Sequence, residues 1–282
     1  MNQMNPTFGH RQKNASGYVL ATLNYTRPGD PMPASYMYER PAGVPAIEER
    51  NEPHQVAIHS ARPILETLSL DVHGFSVTHG ETAVRDFDDP AELKRIYDAE
   101  VAALVLARTG ARKAVVFDHT VRRIAGDDSS AARRAPVHVV HNDYTTKSGP
   151  QRVRDLLPAQ EAERALKHRF AIVNVWRSIN GPVTDTPLAF ADARTVKNED
   201  WIATDLKYPD RTGEVYRVGF NPEHRWYYVP NLQPDEILLL KTFDSAEDGR
   251  ARYMPHTAFN DPATKPGSAK RQSIESRVLA LF

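Results

Sequence analysis

From Ala114 to the C-terminus the chain reads as a succession of short strand-like runs with turn signals between them. The runs fall at 114–117, 136–141, 170–176, 201–206, 214–220, 226–229, 236–242, 251–256 and 273–282. Pro209-Asp210, Thr212-Gly213 and Asp248-Gly249 mark turns. Only one helical insert interrupts the series, at 150–156 and 158–169, each half with proline at a plausible first turn. Strands that do not alternate with helices argue against a doubly wound sheet, and no glycine-rich phosphate loop is present. The pattern predicts a mainly β fold with flanking helices, a barrel or two-sheet jelly roll.

Upstream, residues 1–16 read as a flexible arm and 17–282 as a single domain. A first strand is expected at 18–25. Prolines cluster between Pro28 and Pro45, so 28–54 reads as a loop anchored by Tyr36, Met37 and Tyr38. Short strands follow at 55–58 and 74–78. Asp89 can cap a helix, with Pro90 at its first position and Glu92 three residues after the cap. Leu93, Ile96, Tyr97, Val101, Leu104 and Val105 form its apolar stripe, and Gly110 ends it.

Composition narrows the chemistry. There is no cysteine, so any metal must be held by His, Asp or Glu. The charges balance, 36 basic against 36 acidic, which speaks against a nucleic-acid surface. The longest apolar run, 101–107, is too short to span a bilayer, and the first residues lack the apolar centre of a signal peptide. The expectation is a cytoplasmic protein acting without membrane or nucleic acid, for which a homodimer is compatible.

The motif that such a strand set would position is His141-Asn142-Asp143. Side chains alternate along a strand, so His141 and Asp143 share a face and Asn142 points away. His138 has the opposite parity to His141, which favours His141 as a ligand. With a later His256, the pair completes two histidines and one carboxylate. Such a triad leaves one face of a metal open, the geometry of non-haem Fe(II) oxygenases. A lone His-x-Asp has a duller reading as a strand end and the start of a turn.

Arg271-Gln272-Ser273 shifts that balance. Arg271, Ser273, Glu275 and Arg277 share a face of the last strand. Arg271 and Ser273 can donate to one carboxylate, clamping a dicarboxylate whose other end chelates the metal. Arg277 is the alternative to Arg271 in that role. The competing reading pairs these arginines with Glu275 or Asp261 on an exposed face.

Taken together, the runs 141–145 (HNDYT), 173–177 (VNVWR), 240–245 (LKTFDS), 248–252 (DGRAR), 255–259 (PHTAF) and 271–275 (RQSIE) resemble the CmcJ/AsaB-like family. That family takes in relatives of gibberellin desaturase and the fungal valine aziridine-forming enzyme. Upstream, 70–71 (LD), 73–75 (HGF), 85–87 (RDF) and 117–119 (FDH) extend the likeness over most of the chain. The resemblance implies a double-stranded β-helix (cupin-like) core. It further implies an Fe(II)/2-oxoglutarate-dependent dioxygenase of specialised metabolism. His141, Asp143 and His256 would be iron ligands, with Arg271 and Ser273 on 2-oxoglutarate. Substrate would be a small molecule, an amino acid or derived metabolite, oxidised with O2 by hydroxylation, desaturation or cyclisation.

Tyr144, Asn174, Arg177 and His119 are candidates for the substrate pocket, each also readable as packing or a satisfied strand-end residue. Lys241, in an apolar strand, calls for a carboxylate partner or a substrate role. Two other classes share the same ligands: a metal-dependent hydrolase, which has no use for the Arg271/Ser273 clamp, and a non-catalytic cupin-like accessory or binding protein.

Overall fold

Two strands in the second half of the chain, β7 (Phe170–Ser178) and β12 (Glu236–Asp244), are buried along their whole length. A strand buried on both faces needs a layer on each side, and that requirement organises the molecule. The computed structural model describes residues 17–29, 34–36, 51–123 and 135–282. The other strands among them are β1 (Tyr18–Thr26), β2 (Ala34–Tyr36), β3 (Asn51–Ser60), β4 (Phe75–His79) and β5 (Lys113–Arg123). Later come β6 (His141–Asn142), β8 (Leu188–Ala191), β9 (Trp201–Lys207), β10 (Thr212–Val218), β11 (Trp226–Tyr228), β13 (His256–Ala258) and β14 (Gln272–Leu281).

They form two sheets, ordered β4-β12-β7-β14-β5 and β1-β3-β11-β8-β13-β6-β10-β9-β2. On the outer face of the smaller sheet, Val173, Val175, Leu239 and Val278 pack against Val101 and Val105 of a helix, α2 (Asp98–Thr109). On its inner face, Trp176, Leu238 and Leu240 meet Phe190 of β8. Ala189 and Ala191 alternate with Phe190 and face Leu23, Tyr25, Ile58 and Trp226 instead. The larger sheet curls to provide that second core: the Val140 N–H donates to the Asn24 carbonyl at 2.9 Å, bringing β1 beside β6. This is the expected mainly β jelly roll with flanking helices.

The helix before β5 starts as read: Asp89 accepts the Ala91 N–H at 2.9 Å and Pro90 opens α1 (Pro90–Glu92). Glu92 does not reach back to Asp89, whose own N–H is taken by the Asp86 carbonyl. It accepts instead from the N–H groups of Arg85 and Asp86, each at 3.0 Å. A π turn at Leu93–Tyr97 leads into α2, and Gly110 closes it with a left-handed φ of 72°. The insert forms α3 (Ser148–Leu156) and α4 (Ala159–Ala165), seated on Phe170 and Phe243 through Val153, Leu157 and Ala162. A Cβ on Gly149 would lie 2.5 Å from the Phe243 ring, so only glycine lets α3 approach this closely.

Several boundaries differ from the sequence expectation. The run at 136–141 contributes only the two-residue β6. The expected strand at 251–256 begins only at His256, because side chains and loops claim its backbone: Ala251 donates to the Asp71 carbonyl and Met254 to Asn142 Oδ1. β8 was not expected; four fully buried residues after a proline carry no alternation to signal a strand. The loop assigned to 28–54 contains β2 and the start of β3. The strand read at 114–117 runs on to Arg123 as β5. The arm at 1–16, the anchors Met37 and Tyr38, and 124–134 lie outside the described residues. No helix among the described residues is long and apolar enough to cross a membrane.

Lys241 has its carboxylates. Its ammonium donates to Asp244 at 2.9 Å and also to Asp71, while Arg169 holds Asp244 from the other side at 2.8 Å. Breaking such a buried pair strands a charge. Asp244→Ala is expected to destabilise the protein by about 3–5 kcal/mol. Denaturant unfolding reads this out, and a loss below about 1 kcal/mol would contradict it.

Candidate metal centre

The strands β6 and β13 meet at one register pair, His141 opposite His256. Residues directly opposite in an antiparallel pair present their side chains on the same face. The two imidazoles therefore lie side by side, with ring centroids 4.4 Å apart. Asp143, two residues on from His141, turns its Oδ1 toward them, 3.6 Å from His141 Nε2 and 4.0 Å from His256 Nε2. One ligand atom from each of the three lies within 4.8 Å of the others. One metal ion bound to all three would sit between them, and two imidazoles with one carboxylate suit Fe(II).

Local hydrogen bonds aim these groups. His141 Nδ1 is 2.7 Å from the Val139 carbonyl, so a proton there leaves the Nε2 lone pair pointing inward. Burial, and then the neighbouring His256, push the His141 pKa well below the ordinary histidine value. Burial would raise the Asp143 pKa, but Arg277, His256, His141 and a hydrogen bond from Asn174 outweigh it and hold the group far below the usual carboxylate range. The site therefore offers a neutral imidazole and a carboxylate at neutral pH.

Asn142, which faces away as strand parity required, is the joint of the centre. Its amide donates to the Tyr144 and Thr242 carbonyls at 2.7 and 2.9 Å, and its Oδ1 accepts the Met254 N–H at 3.2 Å. It thus ties the turn carrying Asp143 to the segment carrying His256. The sequence reading passed over Asn142, although its place between two ligand candidates was the available signal.

Ser273 lies on the inner face of β14 and Arg271 immediately precedes that strand; both are buried. Arg271 stacks against Trp176, 5.5 Å from the ring centroid, and donates to the Thr186 carbonyl. Thr186 holds a φ of 48°, a strained conformation for a β-branched residue. No carboxylate among the described residues pairs with Arg271. Its Nε and the Ser273 hydroxyl are buried without partners. Burial, and then the charge of Arg122, push the Arg271 pKa down to about 10. A buried cation beside an unsatisfied hydroxyl is a receptor for an anion. The carboxylate of 2-oxoglutarate meets both needs, so the donor set fits that cofactor. The competing reading, with Arg271 paired on an exposed face, does not match this burial.

His138 lies outside the three-residue group. Burial, and then the charge of Arg271, lower its pKa, which sets it toward the arginine. Asn174 is drawn into the centre, donating to Asp143 Oδ2 at 2.8 Å. Tyr144, expected at a pocket rim, is buried with Val153, Leu157 and Phe243, and burial pushes its pKa up to about 12. Arg177 and His119 face the helix side of the smaller sheet. Arg177 donates to the Pro234 and Gly80 carbonyls, while His119 pairs with Ser276 and Asp98 at 2.7 and 2.8 Å. Their strand parity turns them away from the metal group. Arg277, the alternative clamp, is taken up by Asp143, Asp118 and Glu275.

A family model described as an oxidoreductase/YMDC permease-like domain matches residues 23–281. The hydroxylase/desaturase efuI of Hormonema carpetanum is 33% identical over 94% of this chain and 95% of its own length. The Fe(II)/2-oxoglutarate-dependent dioxygenase nvfI of Aspergillus novofumigatus is 31% identical over 80% of this chain and 83% of its own. The solved structure of the iron and alpha-ketoglutarate-dependent endoperoxidase NvfI superposes with a TM-score of 0.85 at 27% identity, covering 94% of this chain and 98% of that one.

Proposed function

The chain belongs to the CmcJ/AsaB-like family of Fe(II)/2-oxoglutarate-dependent oxygenases, and from that premise we propose how its own residues do the work. His141, Asp143 and His256 bind Fe(II). Arg271 and Ser273 bind the remote carboxylate of 2-oxoglutarate. The observation that carries this assignment is the pairing of a three-ligand group with a buried guanidinium that no carboxylate among the described residues pairs with, beside an unsatisfied hydroxyl.

Iron and 2-oxoglutarate, when bound, supply the oxidising power: O2 is consumed, 2-oxoglutarate becomes succinate and CO2, and hydrogen is taken from an unactivated C–H bond. The protein's part is placement. The His141 and His256 imidazoles and the Asp143 carboxylate would hold the ion, and as a three-residue ligand set would leave coordination positions for the two substrates. Arg271, backed by Trp176, fixes the dicarboxylate's far end and thereby its orientation. Hydroxylation, desaturation or cyclisation of a small metabolite then depends on which C–H bond is presented. The same reading places the protein in the cytoplasm, in specialised metabolism.

The assignment is tested by screening small amino acids and derived metabolites with Fe(II), 2-oxoglutarate and O2. Succinate release should be iron-dependent and rise with a substrate that gains or loses mass in step. Turnover of a substrate without succinate would contradict it.

A further inference from the structure

The row beneath Asp143 has a regular construction. On the smaller sheet, Arg277 of β14 is paired in register with Asn174 of β7 on one side and with Asp118 of β5 on the other. All three side chains rise from the inner face. Asn174 Nδ2 and Arg277 Nε both donate to the same atom, Asp143 Oδ2, at 2.8 and 2.9 Å. Arg277 spends its remaining donors on Asp118 and, at 2.6 Å, on Glu275. Both Asn174 and Arg277 are therefore anchored from behind, Asn174 by the Thr242 hydroxyl at 3.4 Å.

We propose that Asn174 and Arg277 are positioning residues that commit Asp143 to binding iron through Oδ1 alone. The proposal rests on Asp143 being an iron ligand. A free carboxylate can swing or bind a metal through both oxygens, using an extra coordination position. Here Oδ2 is occupied by two charge-assisted or amide donors, so only Oδ1 faces the imidazoles. Single-oxygen ligation keeps a position free for the two substrates.

The test uses metal binding to the full chain without oxygen, by calorimetry with Fe(II) and by the visible absorption of bound Co(II), which reports coordination number. Asn174→Ala and Arg277→Lys should each weaken Fe(II) binding by about 10–100-fold and alter the Co(II) spectrum. Because both hold one oxygen, their combination should cost less than the product of the single effects. A merely structural role would lower the unfolding midpoint and leave the Co(II) spectrum of folded protein unchanged. Asp143→Ala separates the two levels. If Asp143→Ala binds metal like wild type, the ligand assignment fails, and this proposal with it. If Asp143→Ala loses metal while either folded variant, Asn174→Ala or Arg277→Lys, keeps wild-type affinity and spectrum, the positioning proposal alone is overturned. Should Arg277→Lys not fold, Asn174→Ala decides.

Discussion

Asp143→Ala is expected to abolish iron-dependent turnover, by at least about a thousandfold, through loss of the metal itself. Asp143 is the one carboxylate of the three-residue group, and its Oδ1 is the atom turned toward both imidazoles. Two imidazole ligands alone bring no negative charge to offset a dication in a buried site. The substitution also leaves Arg277 Nε and the Asn174 amide without their acceptor, so the fold should lose about 1–3 kcal/mol. Equilibrium dialysis against Fe(II), alongside urea unfolding, separates the two effects. Retained stoichiometric iron at wild-type affinity would contradict the ligand role.

Arg271→Ala is expected to raise the Kd for 2-oxoglutarate by about 100-fold, or roughly 2.7 kcal/mol, with iron affinity unchanged. The guanidinium stands just before β14 with Ser273 two residues on, and its Nε and the Ser273 hydroxyl have no hydrogen-bond partner among the described residues. The effect on stability should run the other way. Without an anion, Arg271 is a buried cation held by one carbonyl and a ring face, an arrangement whose desolvation is poorly repaid. The variant lacking ligand should therefore be no less stable than wild type, and 2-oxoglutarate should raise the melting temperature of wild type only. Equal 2-oxoglutarate affinity in the two proteins would refute the clamp.

The strand order of the fold was only partly legible. Long runs with strong apolar content, such as 170–176 and 236–242, became β7 and β12 because burial on both faces leaves little choice of conformation. Short elements at the site escaped pattern reading. β6 and β13 are two and three residues long and are held by one shared register pair and by Asn142, which are tertiary facts. Parity was nevertheless enough for the chemistry. It set His141 apart from His138, Asn174 apart from Arg177, and Arg271, Ser273 and Arg277 together on one face. What parity could not say is which arginine meets which acid. Arg277 and Arg271 share a face six residues apart, and only the fold shows that one is ion-paired with three carboxylates and the other with none among the described residues. Nor could parity foresee that His119, on β5, faces the helix and binds Asp98.

The central claim is that His256 joins the His141/Asp143 pair around iron that also carries 2-oxoglutarate. Adding Fe(II) and then 2-oxoglutarate without oxygen should produce a weak visible charge-transfer band in the wild type. That band should vanish in His256→Ala and persist in His138→Ala. No band in the wild type, or a band that survives loss of His256, would contradict the account.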